Sequence, residues 1–400
     1  MKFLSKWVLF LMLLCLVFTL SACNSRGSQT VEDEWGIVQI RGFQTVRIAV
    51  VVPTSSEAIN AEGTDIVRGA QLAAQEYGRI NGHSIEILTL DGQCSAAGGR
   101  SGALSITADS SIVSVVGPVC SQSCEAAAEI YETAHFTTIS PSCGSSALTD
   151  QVTHAGSFMR TIYDDRHEGQ TAARFAYVEL GARSAATISD GTSDTVDLVD
   201  SFETTFQSLG GTITARGIIT SGDADLEPVL AEFESPTSEV IFAPVLPSDA
   251  ITLTTQRTAS KIATLPLIGG RHFLSTYYLT EVGDNAEGIY AVGPVLSGAA
   301  YQDLLSQFQE QYGEAPSTSQ FAYSYDAVNI IADAIARVAA TNSQNTMLIG
   351  RQTLREALYQ TTTFQGVTGN LSCSAWGDCS TASLGVYRVQ NHSWTVIYAP

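Results

Sequence analysis

Short apolar runs rich in valine and isoleucine alternate with segments of helical period along most of this chain, and that alternation restricts the fold more than any other feature. Val46 to Val52 is a valine-rich run of the kind expected for a strand covered on both faces. Asp65 to Tyr77 follows with helical spacing up to Gly78, and Asn81-Gly82 supplies the return turn. The pattern repeats as strand Ser84 to Leu90, helix Gly99 to Ala108, strand Ile112 to Val116, a helix ending at Glu132 and strand Thr137 to Ser140. A second series begins at Asp165 and carries strands at Ala185 to Ser189, Thr212 to Ile219, Glu239 to Ala243 and Leu265 to Gly269. Strands that alternate with helices make parallel sheets. The chain therefore reads as α/β, with two doubly wound parallel-sheet lobes, and from Tyr301 onward as helices followed by short strands.

The amino terminus constrains location. Lys2 and Lys6 precede an apolar run from Trp7 to Leu20, a length suited to a signal peptide and short for a membrane span. The run ends Leu20-Ser21-Ala22-Cys23, which resembles a bacterial lipobox. That resemblance implies cleavage after residue 22, lipid on Cys23 and an extracytoplasmic protein anchored to the cell membrane. An ordinary secretory leader and a short uncut anchor are the alternatives. Residues 24 to about 44 are polar and mixed, as a tether would be.

Charge narrows the partners. The chain has 20 Lys and Arg against 40 Asp and Glu. Removing the leader takes two lysines and no acids, so the remainder carries 18 minus 40, or −22. Nucleic acid is an unsuitable partner for such a surface. Lys261 is the single lysine beyond the leader, so nearly every cation there is an arginine able to make bidentate contacts.

With Cys15 in the leader and Cys23 acylated, Cys94, Cys120, Cys124, Cys143, Cys373 and Cys379 remain for an oxidising compartment, where an even set favours disulfides. Cys373 and Cys379 bracket a Gly-Asp turn between strand-like runs, which suits a local bridge. No CxxC spacing and no clustered histidines favour zinc.

The stretch Asp91-Gly-Gln-Cys94, Val116-Gly-Pro-Val-Cys120-Ser121, Glu129-Ile-Tyr-Glu132, Ile139-Ser-Pro141, Leu148-Thr149 and Phe158-Met-Arg160, with Gly366-Val-Thr-Gly and Gly385-Val-Tyr-Arg near the end, resembles the leucine/isoleucine/valine-binding protein family, type I solute-binding proteins of ABC importers. The resemblance covers nearly all the chain after the leader. It implies two lobes joined by a hinge of three crossings, near Thr161, Ala291 and Gly385, with ligand held between them. Residues 1–22 would be leader, 23–44 tether, 45–161 with 292–384 the first lobe, and 162–291 with 385–400 the second. The family pairs the cysteines matching Cys94 and Cys120. Cys124 and Cys143 would then form a second bridge or remain as thiols.

The family holds a ligand carboxylate on the Ser matching Ser121 and nearby backbone amides. Its two ammonium ligands, a Thr and an acid, fall on Gly144 and Arg271 here, and two aromatic positions become Asp194 and Leu246. The pocket has been rebuilt. Either Asp194 takes an ammonium while Arg271 meets an acidic or carbonyl group, or the ligand lacks an ammonium and is a carboxylate or amide. Asp194 and Arg271 could also simply pair with each other. Ser142, Ser145 and Glu62 complete the expected ligand-binding set, and removing Arg271 is expected to weaken binding far more than folding.

No Walker lysine, HExxH, GxSxG or GxGxxG occurs, so the leading catalytic signatures are absent. His83, His135, His154, His167, His272 and His392 are scattered, with His272 beside Arg271 the one of interest. The expectation is therefore a non-enzymatic, monomeric solute receptor without cofactor or metal, binding an amino acid or related carboxylate or amide and docking on ABC permease subunits. The competing reading is a sensory module reporting ligand to a membrane kinase or chemoreceptor.

Overall fold

Ile48, Ala49, Val50, Val51 and Val52 are all fully buried, so the strand Val46–Val52 must be covered on both faces. Helix α1 (Glu57–Tyr77) packs Ile66, Ala70 and Ala73 on one face, together with Val328, Ile331 and Ile335 of the helix Gln320–Val338. On the other, Ala49 and Val51 meet Ala103 and Ile106 of α2 (Ala96–Thr107) and Ala127 and Tyr131 of α3 (Ser121–Thr133). Each fully buried Val or Ile contributes roughly 1.5–3 kcal/mol. Gly69 lets α1 cross the later helix closely: a Cβ there would lie 2.1 Å from the Phe321 carbonyl oxygen.

The computed structural model describes residues 32–399 except 56, 235–236 and 382. The expected leader, Cys23 and the start of the tether lie outside the described residues. The first large sheet has six strands in the order Arg79–Ile80, His83–Asp91, Val46–Val52, Ile112–Val116, Thr138–Ser140 and Phe158–Arg160. All its pairings are parallel except the first. The second has seven strands, ordered Ser393–Tyr398, Leu384–Gln390, Tyr290–Pro294, Leu267–Gly269, Val240–Phe242, Ser184–Ser189 and Thr212–Ile218. The last five run parallel, and the carboxy-terminal hairpin adds antiparallel to them. Helices α4 (Asp165–Arg174) and α5 (Ser193–Ser208) cover one face of this sheet, where Ala172, Phe175, Leu198 and Phe202 meet Phe242 and Ile268.

This is the two-lobed α/β architecture with three crossings. The chain passes between the sheets after Arg160, after Pro294 and before Leu384. The crossings expected near Ala291 and Gly385 move by a few residues, because both residues lie within strands of the second sheet and pair there, Ala291 with Tyr387 and Gly385 with Gly293. Two crossings are tied together where the Val295 amide donates to the Ser383 carbonyl at 2.8 Å.

The tether expected over 23–44 needs correction at its carboxyl end. Ile37–Ile40 is a strand, antiparallel to Met347–Gly350, with Val38 and Ile40 buried in the first core. Val38 and Ile40 point inward on either side of the exposed Gln39, and this inward side is satisfied by packing rather than by solvent. Helix α1 also begins earlier than its apolar spacing indicates.

Three disulfides are formed: Cys94–Cys120, Cys124–Cys143 and Cys373–Cys379. The first two fasten the segment around the start of α3 to its neighbours.

Candidate functional site

Strand ends place the candidate residues. Ile112–Val116 leads into Ser121 at the start of α3, and Thr138–Ser140 leads into the loop Ser142–Ser145. From the other lobe, Ser184–Ser189 leads to Asp194 in the first turn of α5, Val240–Phe242 to Leu246, and Leu267–Gly269 to Arg271. Open parallel sheets present ligand sites at these carboxyl ends. Ser121, Ser142, Ser145, Glu62, Asp194, Leu246 and Arg271 are all buried.

The lobes meet through direct polar contacts. The Ser121 amide donates to Asp194 Oδ1 at 2.9 Å, and the Ser146 amide donates to Asp197 Oδ2 at 2.6 Å. An acid on a free helix amide is favourable, since it meets both an unpaired donor and the positive end of the helix dipole. The Ser121 hydroxyl oxygen also accepts from the Ser145 amide at 3.2 Å. Burial nevertheless raises the Asp194 carboxyl above the usual range.

Glu62, on α1, accepts from the Ser142 hydroxyl at 2.6 Å. Its other oxygen lies 3.8 Å from His272 Nδ1. Burial, and then the neighbouring Arg271, push His272 down to about 3, so the imidazole is neutral and this contact is not an ion pair. Burial also raises Glu62.

Arg271 sits at the centre. Nη1 donates to Asp165 Oδ1 at 2.6 Å and to Glu168 Oε2 at 3.3 Å, and the Arg271 amide donates to Glu168 Oε1 at 2.8 Å. Nη2 reaches across to the Ser142 carbonyl at 3.4 Å. The Tyr163 hydroxyl donates to Glu168 Oε2 at 2.8 Å. Burial alone would lower the guanidinium pKa, but Asp165 and Glu168 hold it well above normal. Asp165 is pushed up to about 8, by burial first and against the pull of Arg271.

Gly144 explains how Asp165 fits. A Cβ at that position would lie 1.9 Å from Asp165 Oδ1, so this carboxyl occupies space that any side chain at residue 144 would need. Buried side-chain atoms without a hydrogen-bond partner gather in the same cluster: Asp165 Oδ2, Asp194 Oδ2, Arg271 Nε and His272 Nε2.

One alternative left open by the sequence is decided. Arg271 does not pair with Asp194; its ion-pair partners are Asp165 and Glu168, while Asp194 is taken by the Ser121 amide. Removing Arg271 would also take its cation from Asp165 and Glu168, so some cost to folding accompanies it. Leu246, just before the helix Pro247–Arg257, is a buried apolar side chain whose carbonyl accepts from the Ala250 amide. Asp165, Glu168 and Tyr163 escaped the sequence reading, since acids in a first helical turn ordinarily face solvent. The available signal was a lysine-poor chain in which a buried arginine must find acids.

Among the described residues no cluster of His, Cys, Asp and Glu could hold a metal ion, and no helix is long and apolar enough to cross a membrane.

A family model for periplasmic binding proteins matches residues 45–386. The chain belongs to that family. A relative from Pseudomonas aeruginosa, the leucine-, isoleucine-, valine-, threonine- and alanine-binding protein, is 24% identical over 383 residues, spanning 91% of this chain and 96% of that one. A leucine-binding protein from Thermotoga maritima superposes with a TM-score of 0.80 at 24% identity, over 89% of this chain and 98% of that one. A solute-binding protein of an ABC transporter from R. palustris, solved with benzoate, gives 0.77 at 18% identity, over 89% and 96%. These relatives are binding proteins and not enzymes, in keeping with the missing catalytic signatures. Family membership also puts the folded part outside the cytoplasm.

Proposed function

We propose that this chain is the lipid-anchored solute-binding component of an ABC importer, closing its two lobes on an amino acid or a related small carboxylate or amide. The anchor is Cys23. The first lobe comprises residues 37–161 and 295–383, the second 162–294 and 384–400, and the molecule acts as a monomer that presents its closed form to permease subunits.

One observation carries the reading. Buried polar groups from both lobes, Glu62, Ser121 and the Ser142–Ser145 loop on one side and Asp194 and Arg271 on the other, converge where the strands of both sheets end. A ligand favours closure only by touching both halves, and this arrangement offers it partners from each. The family ligands named above, branched-chain amino acids and benzoate, support a small carboxylate or its relatives.

The test is a thermal-shift screen over amino acids, carboxylates and amides, because a ligand that binds only the folded state raises the melting temperature. A hit whose shift disappears in Ser142→Ala or Asp194→Asn supports the site. Hits unaffected by both substitutions would place binding elsewhere.

A further inference from the structure

The charge pattern of the cleft narrows the ligand. In the resemblance, the Ser at 121 and neighbouring amides receive the ligand's carboxylate. Here a carboxylate is already in contact there, since Asp194 Oδ1 accepts from the Ser121 amide at 2.9 Å. Its second oxygen, Oδ2, is buried and unpartnered. The same holds for Asp165, whose Oδ1 is taken by Arg271 and whose Oδ2 is unpartnered and buried.

Four buried acids, Glu62, Asp165, Glu168 and Asp194, share this cluster with one guanidinium, Arg271. His272 is neutral and adds no charge. Arg160 lies nearby but is committed to Asp164 and Asp378. An incoming carboxylate would have to displace Asp194 or sit against it in a medium of low dielectric, where like charges repel strongly. A donor group would instead meet the waiting acceptor oxygen Asp194 Oδ2, and a buried acceptor left unpaired costs about 1–3 kcal/mol. The unpartnered Arg271 Nε suits a neutral acceptor such as a carbonyl.

We infer that the cleft takes a ligand presenting an N–H donor, an amine or a carboxamide, to Asp194, and that it accepts no carboxylate at the Ser121 end. This rests on the cleft being the binding site, and it narrows the amino acid, carboxylate or amide class to members whose carboxyl group is masked or missing.

The experiment compares matched probes on the full chain without its leader: the common amino acids, their primary carboxamides and their decarboxylated amines, with isobutyramide and isobutyrate, by thermal shift and then calorimetric titration. The expected result is that at least one carboxamide or amine binds tenfold or more tightly than its parent amino acid, that isobutyrate does not bind, and that Asp194→Asn weakens the hit at least tenfold. Amide-only hits identify a neutral donor, and amine-only hits a cation. Parent amino acids or isobutyrate binding as tightly as the masked forms would overturn the inference while leaving the cleft reading intact. Silence from every amine and carboxamide would overturn it as well. If Asp194→Asn fails to fold, the matched pairs on the parent protein decide alone.

Discussion

Arg160 and Arg271 are both buried arginines that reach the Ser142–Ser145 loop, yet their surroundings differ in one respect. Every nitrogen of Arg160 is engaged: Nε with Asp378, Nη1 with the Gly144 and Ser145 carbonyls, and Nη2 with the Thr149 hydroxyl and Asp164. Arg271 has partners on Nη1 and Nη2, but its Nε has none, and the oxygens Asp165 Oδ2 and Asp194 Oδ2 are equally unmet. Arg160 closes a finished cage beside the first crossing. Arg271 belongs to an incomplete one, and polar groups left incomplete in a buried cleft are what a ligand can complete.

Removing the finished cage should have the largest effect. Arg160→Ala is expected to cost roughly 3–5 kcal/mol in chemical denaturation, because Asp378, the Gly144 and Ser145 carbonyls and Thr149 all lose their buried cation, while Asp164 keeps only Arg166. A loss below about 1 kcal/mol would erase the distinction between the two sites.

Arg271→Met should instead show its main effect on binding, with a loss of roughly 2–5 kcal/mol in the affinity of whichever probe binds the parent. Its cost to folding should be smaller than that of Arg160→Ala, since Asp165 holds its proton up to about pH 8 and does not face Glu168 as a second charge. Equal losses of stability in the two variants would break the comparison.

Gly144 lies between the clusters, its carbonyl held by Arg160 and its α-carbon against Asp165. Gly144→Thr should cost roughly 1–3 kcal/mol by overpacking. Adding Asp165→Ala should recover part of that loss in a double-mutant cycle. Additive effects would mean that Asp165 does not occupy the space in question.

The smallest effect is on pH dependence. Asp165, at about 8, and Asp65, at about 7, both have folded values above their unfolded one of 3.8, so the native state holds more protons and stability falls as pH rises. Asp165 is faced by Arg271, Glu168, Asp194 and Arg160; burial, with the two acids adding to it, outweighs the two arginines. His272 works the other way, losing stability only as pH falls below its unfolded 6.5. The melting temperature should therefore drop between pH 6.5 and 8, with each group contributing at most about 1.4 kcal/mol per pH unit. Asp165→Asn should flatten the slope, and an unchanged slope would show that this carboxyl is ordinary.

Most of the scaffold could be seen in the sequence because valine-rich strands and helical period are local signals. The antiparallel strand Ile37–Ile40 could not, since its partner Met347–Gly350 lies near the other end of the chain and four residues carry little pattern. In the site, the strand-end positions Ser121, Ser142, Asp194 and Arg271 were visible through the motif resemblance. The identity of their partners was not. Asp165 and Glu168 look like an ordinary acidic first turn, and only the packing of α4 against the loop carrying Arg271 turns them inward.

The most direct measurement is a crystal structure of the protein with a bound solute found by screening. The account predicts ligand nitrogen within hydrogen-bonding distance of Asp194, between two lobes both in contact with it, and Arg271 lining the same space. A solute whose carboxylate sits on the Ser121 amide with Asp194 turned away, or one bound outside the cleft, would contradict it.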